Sequence, residues 1–388
     1  MTENGSHRAA AAESPSVTLG LLPPTEQVRK VVKVDEFGAH ARALAASETG
    51  FQNEFMDARS EVLCAPGYRE RLTKTVPHIR ACNRYADIVC LEDTRVKLAT
   101  QSEHDYINAS WVRLQGLPDV QYIAAQAPLE HTFDAFWRMI WENRAPLVLM
   151  LTPWVEHAHG RSRVKAERYL PLEQDDVQVC DTFEVRCLML NESDFDQGIS
   201  VRKLSLKSLA SSAPPRTVYH VHYTKWPDFG CVKDLEPYLH LHAIVRKYTA
   251  QSCAESEEAS SAGTGGAEQS GGSGPTPIVT HCSAGIGRTG TYIAIDAILA
   301  WIAERVREAP SEPATLDILD VFKQLRNHRP GMVFTFEQYA MVYQVIYFAL
   351  FGTSLSDATE ADAKTSLESF AGMDDADIYR AKLGSPSS

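Results

Sequence analysis

The chain has 388 residues, 44% hydrophobic and 23% charged, with a formal net charge of −12; one large core is within reach, and because about 300 residues is near the upper limit for a single domain, the length reads as one domain with tails. No run approaches the roughly 18 uninterrupted apolar residues of a membrane-spanning helix, and the opening MTENGSHRAAAAESPS has no apolar centre of signal-peptide type. The charge is localised, with −1 in residues 1–25, −4 in Gln251–Pro277 and −4 in Gly352–Ser388, which leaves −3 for the rest; bulk charge therefore argues neither for nucleic acid nor for a membrane surface.

In chain order, residues 1–25 are rich in Ala, Ser and Pro and read as a disordered tail. VRKVVKVDEF, residues 28–37, reads as the start of a first amphipathic helix, with a kinase-docking peptide as the alternative. HTFDAFWRMIWEN sets Phe133, Phe136, Trp137, Ile140 and Trp141 on one helical face. APLVLMLTPW follows as a buried strand. FEVRCLMLNES, GISVRKLSLKSL and RTVYHVHYTKW alternate β-branched and aromatic residues and read as antiparallel neighbours. DLEPYLHLHAIVRKY is helical, whereas residues 251–276 are too rich in Gly and Ser to bury a face and read as a disordered insertion. PIVTHC behind it is a buried strand with no partner of its own, so the insertion interrupts one domain. RTGTYIAIDAILAWIAERV, ATLDILDVFKQLRNH and TFEQYAMVYQVIYFALFG are helices, the last ended by Gly352. The reading is α/β, a mixed sheet with helices on both faces, in one domain over residues 26–352 with an acidic C-terminal tail at 353–388. Eight cysteines without C-x-x-C or regular spacing read as reduced thiols of an intracellular protein, cytoplasmic or nuclear.

THCSAGIGRTG, residues 280–290, carries the chemistry. A strand hands over to a helix N-terminus there, where backbone amides and the positive end of the helix dipole favour an anion. Ser283, Ala284, Gly285, Ile286 and Gly287 are mostly small enough for successive amides to curl into a nest, and the planar fork of Arg288 suits two oxygens of a phosphate. The field that holds a dianion also favours thiolate over thiol, which makes Cys282 a nucleophile aimed at the phosphorus of a phosphate ester. Taken singly, Cys282 reads as a core residue, the glycines as a turn and His281 as a structural histidine; together they outweigh those readings.

HCSAGIGRTG resembles the signature loop of the tyrosine-specific, non-receptor-type protein tyrosine phosphatases. The resemblance spans about residues 50–350 and includes, in the family's order, NRYADI, DYINAS, YIAAQAPL, FWRMIWE, KAERYLP, WPDFG and TFEQY. It implies the cysteine-phosphatase fold with a highly twisted mixed sheet, and hydrolysis of phosphotyrosine through a cysteinyl-phosphate intermediate in intracellular signalling, without metal or cofactor. By resemblance, Asp228 is the general acid on a closing loop hinged near Trp226; alone, Pro-Asp-Phe-Gly is a good turn. Thr289 assists departure of the thiolate, His281 fixes the Cys282 backbone, and Lys165 belongs to the substrate-binding set. Tyr85 packs on the phosphotyrosine ring and Asp87 binds the substrate backbone; otherwise Tyr85 is a surface aromatic. The expected partners are phosphotyrosyl proteins, with no nucleic acid and no membrane span.

Two departures stand out. Phe334 occupies a position where the family has glutamine, so Gln338 alone remains to position the hydrolytic water, and it doubles as a capping-box residue with Thr335. The acid that braces the signature arginine is offset by extra residues, so Glu156 is a candidate only. Arg326 and Arg329 resemble a secondary phosphate-contact region, with a solvated helix end as the plainer reading. A phosphotyrosine-binding protein without turnover and a dual-specificity phosphatase are the alternatives to an active tyrosine phosphatase; Tyr85 argues against the second.

Overall fold

The computed structural model describes residues 32–99, 105–116, 121–158, 160–226, 235–262, 276–308 and 315–357. The strands are β1 (Val32–Lys33), β2 (Arg95–Lys97), β3 (Tyr106–Val112), β4 (Tyr122–Ala125), β5 (Leu147–Met150), β6 (Val155–Ala158), β7 (Arg161–Val164), β8 (Val177–Val179), β9 (Phe183–Asn191), β10 (Ile199–Ser208), β11 (Arg216–Tyr223), β12 (Ile278–His281) and β13 (Thr315–Leu316). The helices are α1 (Val34–Ala46), α2 (Gly50–Cys64), α3 (Pro77–Cys82), α4 (Phe133–Glu142), α5 (Glu236–Ala262), α6 (Gly287–Glu308), α7 (Ile318–His328) and α8 (Phe336–Phe351).

Nine strands form one mixed sheet in the order β2-β3-β4-β12-β5-β11-β10-β9-β8. The four central strands β4, β12, β5 and β11 run parallel, and the flanks are antiparallel. β12 is buried at every position between two parallel neighbours, which is why PIVTHC shows no alternation of inward apolar and outward polar residues. Alternate residues of the centre serve two cores. Ile278, Leu147, Leu149 and Tyr219 pack under α1, α2 and α5 to α8, while Val279, Val148, Met150 and Val218 pack against Phe136, Trp137, Met139 and Ile140 of α4. The mixed sheet with helices on both faces is as expected, and β9, β10 and β11 are antiparallel neighbours.

Two readings change. The segment around residues 28–37 contributes a short strand, β1, paired with β13 before α1 begins, and residues 28–31 lie outside the described set. Of the stretch expected to be disordered, residues 251–262 are helical instead, because α5 continues to Ala262. Lys203 and Tyr219 both reach Glu255 in this stretch, at 3.0 and 2.9 Å, so sheet contacts hold a helix whose own composition is weak. Residues 263–275, the tail 1–25 and positions 358–388 lie outside the described residues. At the end of α8, Gly352 adopts φ 69° and donates to Phe348 O, the left-handed stop that its sequence position predicts.

Candidate active site

β12 ends at His281, α6 begins at Gly287, and Cys282 to Ile286 form the loop between them at the carboxyl edge of the parallel strands. The backbone accounting of this loop is lopsided. The Ser283 carbonyl accepts from Ala127 N at 3.0 Å and the Ile286 carbonyl from Val333 N at 3.1 Å. The Ala284 and Gly285 carbonyls accept from the Arg329 guanidinium at 3.1 and 2.8 Å, and the Cys282 carbonyl from His281 Nδ1 at 3.0 Å. Every carbonyl is tied back into the protein, and among the described residues no protein acceptor meets the amides of Ser283 to Ile286. Amides that share one concave side with no acceptor of their own are what an anion requires. Gly285 is essential to the curl, since its φ is +71° and a Cβ there would lie 2.1 Å from Ala125 O.

Cys282 is 5% exposed at the base of this nest. Arg288, on the first turn of α6, donates from Nη1 to Thr152 Oγ1 at 3.1 Å and forms a 2.7 Å ion pair with Glu156 Oε1. The other oxygen of Glu156 pairs with Lys165 Nζ at 2.6 Å. Glu156 is therefore the residue that braces the arginine, displaced in sequence because β6 and β7 form a hairpin that swings it back. Burial pushes its carboxyl up, but the hydrogen bonds and charges of Lys165 and Arg288 hold it below the usual glutamate range. Lys165 reaches the loop through this carboxylate.

Behind Cys282 runs a chain whose proton order follows from geometry. His281 Nδ1 faces a carbonyl, which can only accept, so Nδ1 carries the proton and Nε2 accepts from Tyr169 Oη at 2.7 Å. Tyr169 Oη, having donated its single proton, accepts from His220 Nε2–H at 2.8 Å. Beside it, His222 Nε2 donates to Thr152 O at 2.8 Å, which connects to Arg288 through the same threonine. Burial holds His220 well below the usual histidine range and brings His222 and His281 down to about 4. His281 is therefore a neutral anchor of the Cys282 backbone.

Tyr85 stands at the mouth, its hydroxyl 2.9 Å from Ser283 Oγ, and Asp87 beside it is exposed. The loop bearing them is held from below by Asn83, whose Oδ1 accepts from Tyr106 Oη and Asn108 Nδ2 at 2.8 and 2.9 Å, and by Arg84, whose amide donates to Gln126 Oε1 at 2.9 Å. Gln338 Oε1 accepts from Phe334 N at 2.9 Å and Thr335 N at 3.4 Å, which completes the capping box. Its amide also overhangs the catalytic loop, because a Cβ on Gly287 would lie 2.9 Å from Gln338 Nε2. Phe334 itself is 58% exposed. Thr289 is buried, and among the described residues its Oγ1 has no hydrogen-bond partner. Trp226 is buried edge-on against Tyr223 and Tyr238. Asp228 lies outside the described residues.

The arginines of LRNHRPGM are neither a solvated helix end nor a phosphate-contact surface. Arg326 lies over the rings of Phe322 and Phe55 and donates to Val333 O at 2.7 Å, and Arg329 is fully buried behind the loop, with further donation to Asn108 Oδ1 at 2.6 Å. Arg329 and Tyr169 are the positioning residues that sequence reasoning missed. Their neighbours in sequence carry no pattern that announces burial against a loop more than 40 residues away.

A strand-to-helix loop in which a cysteine opens an anion nest and an arginine closes it defines a cysteine-dependent phosphatase. The chain belongs to the protein-tyrosine phosphatase family, whose model, described as "Protein-tyrosine phosphatase", matches residues 80–348. It is 31% identical over 86% of its length to receptor-type tyrosine-protein phosphatase eta of Homo sapiens, covering 22% of that protein. It is 32% identical over 84% of its length to tyrosine-protein phosphatase 99A of Drosophila melanogaster, again 22% of the relative, and 33% identical over 85% to receptor-type tyrosine-protein phosphatase zeta of Rattus norvegicus, 13% of the relative. The chain thus spans about a fifth or less of these relatives, and two of the three carry the receptor-type name, which gives the non-receptor qualifier no support. Among the described residues no helix is long and apolar enough to cross a membrane.

Proposed function

We propose that this chain hydrolyses phosphotyrosine in proteins through a cysteinyl-phosphate intermediate. The observation that carries the reading is the loop at 282–288, where every carbonyl is turned away, the amides are left for an anion and Arg288 is held in position by Glu156. The Cys282 sulfur attacks phosphorus while the amides and Arg288 stabilise the charge that gathers on the non-bridging oxygens. The P–O bond to tyrosine breaks as Asp228 gives its proton to the departing oxygen. Water, deprotonated by Asp228 and oriented by Gln338, then attacks the cysteinyl phosphate and releases phosphate, with the Thr289 hydroxyl supporting the leaving thiolate. Tyr85, hydrogen-bonded to Ser283 at the edge of the loop, packs on the phenyl ring of the substrate in this reading, which disfavours the shorter phosphoserine. Seven unpaired cysteines among the described residues suit a reducing, cytoplasmic setting, where signalling phosphotyrosine is the substrate.

The test is single-turnover and steady-state hydrolysis of a phosphotyrosyl peptide. Cys282→Ser is expected to abolish turnover, and Asp228→Ala to lower kcat by about 10²–10⁴ while substrate still binds. A second reading, a phosphotyrosine reader without turnover, is favoured by exposed Phe334 in place of glutamine. Wild-type protein that binds the peptide and never releases phosphate would decide for it. A burst exceeding the steady rate, which shrinks in Phe334→Gln, would instead assign Phe334 the slowing of the second step.

A further inference from the structure

The β6–β7 hairpin does more than present Glu156. Residues directly opposite in an antiparallel pair share a face, and so do alternate residues along one strand. Glu156 pairs with Arg163, and Ala158 with Arg161. Lys165 continues the ladder through its amide, which donates to Trp154 O at 2.8 Å. Arg161, Arg163 and Lys165 therefore form a row of cations on the face that carries Glu156, and that face meets Arg288. Lys165 is neutralised by Glu156. Arg161 and Arg163 are exposed, and no ion pair joins either to a carboxylate among the described residues.

Among the described residues, the Tyr85 side and the Arg326–Arg329 side of the mouth offer no comparable charge. Beside Tyr85 the chain has Ala86 and Asp87, and Arg84 is tied to Glu167. Arg326 and Arg329 are buried on the remaining side. Among these described residues, the exposed cations without a carboxylate partner are those of the hairpin, Arg161 and Arg163.

We propose that Arg161 and Arg163 form a subsite for the carboxylates of Asp and Glu residues flanking the phosphotyrosine of a substrate protein. The proposal rests on the phosphatase reading and adds a substrate class to it. The row starts at the brace of the catalytic arginine, so a peptide whose phosphate fills the nest brings its neighbouring residues within reach of the guanidinium forks, which match a carboxylate in two-point geometry. An anionic lipid surface is the competing source of negative charge, disfavoured because the row runs into the catalytic cleft.

The experiment uses the full chain, with two phosphotyrosyl peptides of equal length, one flanked by Glu and one by Gln, and p-nitrophenyl phosphate as a third substrate. Wild type is expected to prefer the Glu peptide about 3- to 10-fold in kcat/KM at low salt. That preference should collapse at about 0.5 M salt and in Arg161→Gln/Arg163→Gln, and reverse toward a Lys-flanked peptide in Arg161→Glu/Arg163→Glu. An acid preference unchanged in both double variants overturns the subsite. So does a loss confined to binding of phosphatidylserine vesicles, which would assign the row to a membrane. Failure of the wild type on all phosphorylated substrates would overturn the phosphatase reading itself, and p-nitrophenyl phosphate hydrolysis without peptide preference would overturn the subsite alone.

Discussion

At the scale of single residues, the phenol of Tyr169 is the joint in the line behind Cys282. It donates to His281 and accepts from His220, all three buried. Tyr169→Phe keeps the ring and its contacts with Phe136 and Trp137 but leaves His281 Nε2 without a donor and His220 Nε2–H without an acceptor. Unfolding in urea should show a loss of about 1–3 kcal/mol. Because the imidazole that holds the Cys282 carbonyl is then free to turn, kcat should fall more than KM changes, and iodoacetate labelling of Cys282 should slow. A variant with lost stability and unchanged labelling would make the line purely structural. His281 and Cys282 were legible as a pair in the sequence; the tyrosine that holds the imidazole is 112 positions away, and only folding joins them.

At the scale of elements, the catalytic loop is a backbone device supported from behind. Arg329, at the end of α7, is a fully buried cation whose named partners are the carbonyls of Ala284 and Gly285, Asn108, Ser110 and Cys90, with no carboxylate among them. Its fork holds two adjacent carbonyls back and so turns two adjacent amides forward, while a bound phosphate dianion would supply the negative charge that this buried guanidinium lacks. Arg329→Lys keeps the charge and loses the fork. The expected result is a fall in kcat/KM of about 10- to 100-fold with weaker inhibition by vanadate, read alongside a circular dichroism melt to confirm that the domain still folds. Full activity in this variant would show that the loop holds its shape without it. The same scale explains the readings that went astray. The β6–β7 hairpin, mostly polar from Glu156 to Arg163, has no apolar period to mark it, and the last part of α5 takes its stability from Lys203 and Tyr219 of the sheet rather than from its own composition.

At the scale of the whole molecule, three neutral histidines are enclosed between α4 and the sheet. Arg202 and Tyr169 face His220, Arg202 also acts on His222, and Arg84 and His222 act on His281. Their folded values lie below the ordinary histidine value, two of them at about 4, so between about pH 6.5 and 4 the unfolded chain binds protons that the folded one refuses. Stability is then complete above that window and lost as pH falls through it, by about 1.4 kcal/mol per pH unit for each histidine. Urea midpoints measured from pH 7 to 4.5 should show this slope, reduced in His222→Gln; a flat profile would mean that water reaches the cluster.

The local order of residues alone determined the strands and helices whose apolar periods are strong, the strand-to-helix position of Cys282, and a loop composed to bind a phosphate, because each of these depends on neighbours within a turn or two of the chain. Tertiary structure alone decided which residues stand behind that loop. The carbonyls at 282–286 are held by groups from Ala127, His281, Arg329 and Val333, and Arg288 is braced by Glu156 from a hairpin more than 130 positions earlier. Hydrogen bonds and ion pairs form wherever the fold brings donors to acceptors, and they leave no period in the sequence by which to find them.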